Sequence, residues 1–332
     1  MQKRFLFLIA LVLSFAVAPS FAQMTRFPHG VSSFGIPQMG EGYNIPNRIG
    51  VVWFVDGTNG TNGSCQTPTD ACKTVTLALT KAHSGTGDTI ITYPGSYAEN
   101  IVVTKDYITL RCAQFGYAKP DIVPTSGVAL TVTAQGFQSI CMRYAAPAAD
   151  TDLVRQEGNG FFYIDNVFDG DAAQGNAKAL LLLKGNDTDD SMTASEGVIQ
   201  HNLFRGSGGD GIIFDTAEPA VGVGETDDVV IDNTFQAIDQ VAIATADTGP
   251  GLYSIQVSQI VGNYFVDKNK ATLIDLTTSN GGAAGLQTGV ISGNWLSEDT
   301  VNTTVIKMVG TGFTAVGNYY TGTAFVDGNA LD

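Results

Sequence analysis

The chain has 332 residues, 44% of them apolar, with 39 glycines and only 15% charged residues, a composition that fits one large or two small globular domains and excludes a disordered chain. Seventeen basic residues face 32 acidic ones, for a net charge of −15, which excludes nucleic acid and anionic membrane surfaces as partners. Three histidines and four cysteines leave little material for a metal cluster.

Residues 1–22 join a basic start (Lys3, Arg4) to an apolar run from Phe5 to Val17 and a small-residue end, Ser20-Phe21-Ala22. This pattern predicts a secretory signal peptide, and with it a secreted, periplasmic or cell-surface protein. The alternative is an N-terminal membrane anchor, but a span needs roughly 20 apolar residues, the run is shorter, and Pro19 follows it. Cleavage removes Lys3 and Arg4 and takes the net charge to about −17. No later segment is long and apolar enough to insert into a membrane. Residues 23–50 read as an extended Gly/Pro segment and residues 51–332 as one domain.

That domain opens with a strand, Val51 to Val55, followed by glycine-rich punctuation. Thr69 or Asp70 then offers an N-cap. Val75, Ala78, Leu79 and Ala82 fall at i, i+3, i+4 and i+7, predicting one helix over Cys72 to His83. Beyond Asp88 the chain is rich in Val, Ile, Thr, Phe and Tyr in short runs separated by Gly, Asn and Asp, which is strand and turn chemistry.

Self-similarity organises this region. An apolar-x-x-Asn-x-aromatic/Leu segment recurs at Tyr163-Asn166-Phe168, Ile199-Asn202-Phe204, Val230-Asn233-Phe235, Ile260-Asn263-Phe265 and Ile291-Asn294-Leu296, with a weaker copy at Ala315-Asn318-Tyr320. The asparagines are 36, 31, 30, 31 and 24 residues apart, a period suited to one coil of a β-solenoid with loops. A second apolar run follows each of the first five copies, so each coil contributes at least two strands. Asparagine tolerates the left-handed backbone of a sharp bend, and its amide can bond the asparagine one coil away, which predicts a ladder above continuous internal columns of Ile, Val and Phe. The alternative, a β-sandwich, would show hairpin turns every 8 to 12 residues.

Export permits disulfides. Cys65 and Cys72 bracket a short loop, while Cys112 and Cys141 end Ile108-Thr109-Leu110-Arg111-Cys112 and Phe137-Gln138-Ser139-Ile140-Cys141, matching positions one coil apart. The expected bridges are Cys65 to Cys72 and Cys112 to Cys141; four free, buried thiols are the alternative.

The order of strand, Cys65-Gln66-Thr67-Pro68-Thr69-Asp70-Ala71-Cys72, helix, Gly87-Asp88-Thr89-Ile90 and Tyr93-Pro94-Gly95-Ser96-Tyr97 resembles the pectin-lyase-like right-handed parallel β-helix superfamily. The resemblance covers roughly Val51 to Phe325. It implies an all-β solenoid whose N-terminal end is capped by the helix. The stretch Arg26-Phe27-Pro28-His29-Gly30-Val31-Ser32-Ser33-Phe34-Gly35-Ile36-Pro37 is similar to the N-termini of β-helical virion-associated proteins of marine tailed phages, which implies a particle component.

Enzymes of that superfamily place their chemistry on the outside of the coils. The Asn-Thr-Asp and Gly-His-Gly signatures of polygalacturonase-like hydrolases are missing, since Asn233-Thr234 is followed by Phe235 and no Gly-His-Gly occurs. One catalytic candidate stands out. The residues before the first three ladder asparagines are Asp165, His201 and Asp232, placing two carboxylates about 9 to 10 Å apart around a histidine, near the upper end of the separation in inverting glycosidases. The competing reading is ordinary turn chemistry. Candidate binding residues are Asp187, Asp189 and Asp190 in one loop, beside Asn186, and Asp227 and Asp228 at the end of the next. Their oxygen density suits Ca²⁺, but they lack EF-hand spacing and read first as a solvated acidic surface, with no cofactor required. The glycine-rich Gly206 to Gly211 lacks a lysine and reads as a tight corner.

The loops 184–196, 216–227, 246–253 and 277–288 share one phase of the repeat and are expected to form an acidic, aromatic-poor contact face. These features favour an exported, non-enzymatic β-helix protein, either a surface or particle component or a glycan-binding module, whose last coil is covered either by Phe325 and Leu331 folding over it as a plug or by another subunit of a homo-oligomer or larger assembly. The alternative is a polysaccharide-degrading hydrolase or lyase of the same fold.

Overall fold

The computed structural model describes residues 50–114, 116, 118–146, 151–170, 178–184, 194–215, 225–246, 255–256, 258–266, 272–277, 288–297, 305–308 and 313–320. The signal peptide, the phage-like N-terminal stretch, residues 23–49 and Asp187, Asp189 and Asp190 lie outside them. The compact unit Arg48–Asp332 is a right-handed parallel β-helix. Its strands form three parallel sheets of ten, eight and nine strands among the described residues, plus one two-stranded pair. Each complete coil therefore supplies three strands. The expectation of at least two is met, and the third arises because the bend at the asparagine divides each ladder segment into two strands in different sheets, as in Phe162–Ile164 and Val167–Asp169.

Two ladders hold the coils in register. Each ladder asparagine offers its Oδ1 to the amide and the Nδ2 of the asparagine one coil before. Asn233 Oδ1 accepts from Asn202 N at 2.9 Å and Asn202 Nδ2 at 3.0 Å, while its own Nδ2 reaches Ile199 O at 2.8 Å and Asn263 Oδ1 at 3.0 Å. The chain of amides runs from Asn166 through Asn202, Asn233, Asn263 and Asn294 to Asn318. At its N-terminal end the Ser139 hydroxyl takes over as donor, 3.0 Å from Asn166 Oδ1. Beneath the amides Phe168, Phe204, Phe235 and Phe265 stack face to face, centroids 4.5 to 4.9 Å apart and planes within 8°. Leu296 continues the column in register.

The left-handed residue at this bend is the one before the asparagine. Cys141, Asp165, His201, Asp232, Gly262, Gly293 and Gly317 have φ between +54° and +67°. The division of labour is physical: the preceding residue makes the turn, and the asparagine uses its amide inside it, where it is 0 to 1% exposed from Asn166 to Asn294.

Both expected disulfides are present, with Cα separations of 5.0 Å for Cys65–Cys72 and 5.4 Å for Cys112–Cys141. The helix, α1, is shorter than expected, Val75–Lys81, and its N-cap is Thr74 rather than Thr69 or Asp70. Pro68–Asp70 instead forms a single 3₁₀ turn, and Cys72 is held extended by bridge pairing with Val55. Distant residues complete the helix ends, since the Glu99 carboxylate accepts from Val75 N and Thr76 N while Lys105 Nζ donates to Leu79 O, Thr80 O and Ala82 O. Each charge complements the helix dipole. Val75, Ala78 and Leu79 cover the first coil.

Candidate functional site

Strands of the nine-stranded sheet alternate between the core and solvent, so each puts two outward residues around one inward residue. Parallel register turns these into columns. One outer column runs through Ser96, Asp121, Arg143, Val167, Leu203 and Thr234; a second contains Asp169, Arg205 and Gln236. Between the columns and the segment that carries Gly116 and Lys119 lies an open cleft of about 660 Å³, lined by Gly116, Lys119, Asp121, Arg143, Val167, Leu203 and Arg205. The Cys112–Cys141 bridge ties the root of that segment to the neighbouring coil.

The charged groups form one network. Arg143 spans two coils, with Nη1 2.6 Å from Asp121 Oδ2 and Nη2 2.7 Å from Asp169 Oδ2, and Arg205 Nη2 meets the same Asp169 oxygen at 2.6 Å. Burial pushes the Asp169 carboxyl up, but the hydrogen bonds from Arg205 and Arg143 outweigh it and hold the group below its ordinary value. Asp121 goes the other way. Burial raises it, Arg143 only partly compensates, and neighbouring Asp169 adds repulsion; its Oδ1 is buried without a hydrogen-bond partner. Lys119 Nζ donates to the main-chain carbonyl of Asp165, and burial lowers its ammonium against the opposing pull of Asp165. The side chain of Arg205 is 43% exposed and reachable from the cleft.

Three cations, Lys119, Arg143 and Arg205, thus meet here with the carboxylates of Asp121 and Asp169, and the Asp165 carboxylate acts on Lys119, so the cluster is balanced in charge. The guanidinium of Arg205, partly exposed at the cleft, can hold a carboxylate or an ester of a strong acid through paired N–H donors.

The residues singled out from sequence fall elsewhere. Asp165, His201 and Asp232 occupy successive left-handed turn positions beside the cleft. His201 Nε2 approaches Asp232 Oδ2 to 3.6 Å, with both side chains about half exposed, and Asp165 touches the cleft through its carbonyl, which receives Lys119. Asp227 is an exposed turn residue at φ +60°. Asp228 is not part of an acidic surface, because it is 0% exposed and its Oδ1 accepts from Gly197 N at 2.8 Å inside the coil. Among the described residues no group of three or more His, Cys, Asp or Glu side chains is placed to share a metal ion. Sequence reasoning missed Lys119, Asp121, Arg143, Asp169 and Arg205. The signal for two of them was positional: Asp169 and Arg205 stand three residues after ladder asparagines.

Asp228 leads to a pH prediction. Burial, aided by repulsion from Asp227 and Glu196 and opposed by the Gly197 amide, raises its carboxyl well above the ordinary value. The folded state therefore keeps a proton that the unfolded chain releases, and stability declines as pH rises from the ordinary carboxyl range through the raised folded value. Asp228→Asn removes this slope. Thermal melts from pH 4 to pH 8 are expected to show the variant gaining on the parent as pH rises; a variant less stable than the parent at pH 7 contradicts the assignment.

No family model matches the chain, and no curated protein matches its sequence. Similar solved structures include the pectate lyase Pel9A, at 12% identity and a TM-score of 0.52, covering 80% of this chain and 67% of that one. An alginate lyase from Paenibacillus sp. str. FPU-7 matches at 14% identity and a TM-score of 0.47, covering 76% and 94% of the two chains. The pectin methylesterase PemA from Erwinia chrysanthemi matches at 12% identity and a TM-score of 0.44, covering 82% and 90%. The fold is the pectin-lyase-like parallel β-helix.

Proposed function

We propose that this protein, a pectin-lyase-like β-helix by fold, is an exported, non-enzymatic glycan-binding protein that holds a polysaccharide against the outer face of its nine-stranded sheet. The observation that carries this reading is the cleft: Lys119, Arg143 and Arg205 converge beside an open groove on a chain of net charge −15. An anionic substituent of a sugar is the ligand chemistry that such a site selects. Two disulfides fit an oxidising compartment, in keeping with the signal-peptide pattern of residues 1–22, and a fold shared with a protein named as a pectate lyase supports a polysaccharide ligand.

The test is retention of a panel of acidic and neutral polysaccharides, with and without Ca²⁺, while the chain length of each polymer is followed. Retention of an acidic glycan at unchanged length is expected, and Arg205→Ala is expected to weaken it by about tenfold or more, the loss of a charge-assisted hydrogen-bond pair. Polymer shortening would favour the polysaccharide-degrading alternative. Retention indifferent to Arg205→Ala would remove the cleft from the account.

A further inference from the structure

Beyond the cleft, the first outer column of the nine-stranded sheet changes character. After Val167, Leu203 and Thr234 it continues in register as Tyr264, Trp295 and Tyr319. These rings are 43%, 40% and 55% exposed on three successive coils. Their arrangement differs from that of the buried phenylalanines in the same strands. The inner rings are parallel to within 8°, whereas the outer ones are tilted by 41° and 30°, with centroids 6.0 and 4.2 Å apart. A tilted stack turns part of each ring face, and not only its edge, toward solvent.

The turn column changes at the same coils. The position two residues before the outer column is Asp165, His201 and Asp232 in the earlier coils and Gly262, Gly293 and Gly317 beside the rings. A left-handed turn accepts either kind of residue here; a Cβ at Gly262 would run into Asp232 Oδ1, while at Gly317 the space around the position is open. Among the described residues, no protein group bonds the Trp295 indole N–H or the two tyrosine hydroxyls. Exposed faces with free polar edges suit a ligand having apolar C–H surfaces and hydroxyls together, as a sugar ring does. The acidic balance of the chain disfavours a nucleic acid on the same rings.

We propose that Tyr264, Trp295 and Tyr319 form a stacking rail that carries the polysaccharide backbone along the solenoid axis, away from the cleft. The inference rests on the glycan-binding reading and deepens it: the cleft holds an acidic group and the rail holds neighbouring sugars of the same chain. From Leu203 at the cleft to Tyr319 is four coil steps, about 19 Å at the strand spacing of a sheet. Only a ligand of that length uses both.

The chain has two tryptophans, and Trp53 is 5% exposed, so ligand-induced fluorescence change and protection from acrylamide report on Trp295. The probes are alginate and pectate oligomers two to eight sugars long, titrated against the full chain, Trp295→Ala, Tyr319→Ala and Arg205→Ala. For the parent, affinity is expected to rise with length and to level off once the oligomer spans cleft and rail, with Trp295 protected only by the longer probes. Trp295→Ala is expected to cost the long oligomers about tenfold and to leave the shortest unchanged, while Arg205→Ala weakens both. Affinity independent of length, with Trp295→Ala and Tyr319→Ala both silent, overturns the rail and leaves the cleft standing. Binding indifferent to Arg205→Ala fails the cleft alone, and no binding by any oligomer counts against both. Light scattering of the same proteins supplies the remaining outcome: self-association abolished by Trp295→Ala would assign the rings to a second copy of the chain and overturn the proposal.

Discussion

Replacing Phe235 by alanine is expected to lower the unfolding free energy by about 4 kcal/mol. Phe235 is fully buried and stacked between Phe204 at 4.9 Å and Phe265 at 4.8 Å. Its loss opens a void that the neighbours cannot fill, because strand pairing fixes Phe204 and Phe265 one coil to either side. Packing in a solenoid is also nearest-neighbour, so a break in the middle of the column uncouples the coils before it from those after it. Phe235→Leu is expected to cost less than about 2 kcal/mol, since Leu296 already fills the same column in a later coil. Denaturant titration distinguishes the two variants by their midpoints. An alanine variant within about 1 kcal/mol of the parent would mean that the stack is not a major source of stability.

Asn233→Ala is expected to cost about 3 kcal/mol. The four hydrogen bonds of this side chain all lie in the interior, and its removal takes the acceptor from the Asn202 amide, one of the two acceptors from Asn202 Nδ2, which keeps Tyr163 O, and a donor from both Ile199 O and Asn263 Oδ1. Water cannot readily replace them, because Asn202 and Asn233 are each 1% exposed. Asn318→Ala removes the last rung, which is only part-buried, and is expected to cost about half as much or less. Hydrogen exchange gives a local readout: the Asn202 amide, which donates to Asn233 Oδ1, is expected to exchange much faster in Asn233→Ala. Protection of that amide equal to the parent's would contradict its dependence on the ladder.

The solenoid was legible because its constraint acts on one residue per coil. A ladder amide works only if the next coil repeats it, so the six asparagines announced the coil length, and the apolar residues two positions later announced the inner column. Other features follow from physics that leaves no periodic trace. The bend that divides each ladder segment into two strands falls inside one apolar run, and the start of α1 was set by the extended pairing of Cys72 with Val55, not by the local capping residues around Thr69. Asp228 looks like the surface residue Asp227 in sequence, yet it turns inward to satisfy the Gly197 amide.

The outer face was partly legible. Tyr264, Trp295 and Tyr319 each follow a ladder asparagine directly, and Asp169 and Arg205 each stand three residues after one, so ladder offsets assign them to their columns. Arg143 does not follow a ladder asparagine, because Met142 occupies that place in its coil. Lys119 is brought to the cleft by a segment outside the repeat. Which outer residues share a groove depends on register across coils of 24 to 36 residues, and on the disulfide that anchors the segment carrying Lys119.

The central claim is that the outer face of the nine-stranded sheet is the glycan surface. It is tested most directly by a crystal structure of the protein with a bound acidic oligosaccharide of about eight sugars, long enough to pass the roughly 19 Å from Leu203 to Tyr319. The account predicts an acidic substituent at Arg205 and Lys119 and sugar rings lying along Tyr264, Trp295 and Tyr319. An oligosaccharide bound instead across the outer face of the eight-stranded or ten-stranded sheet, with the cleft and the aromatic column untouched, would contradict it.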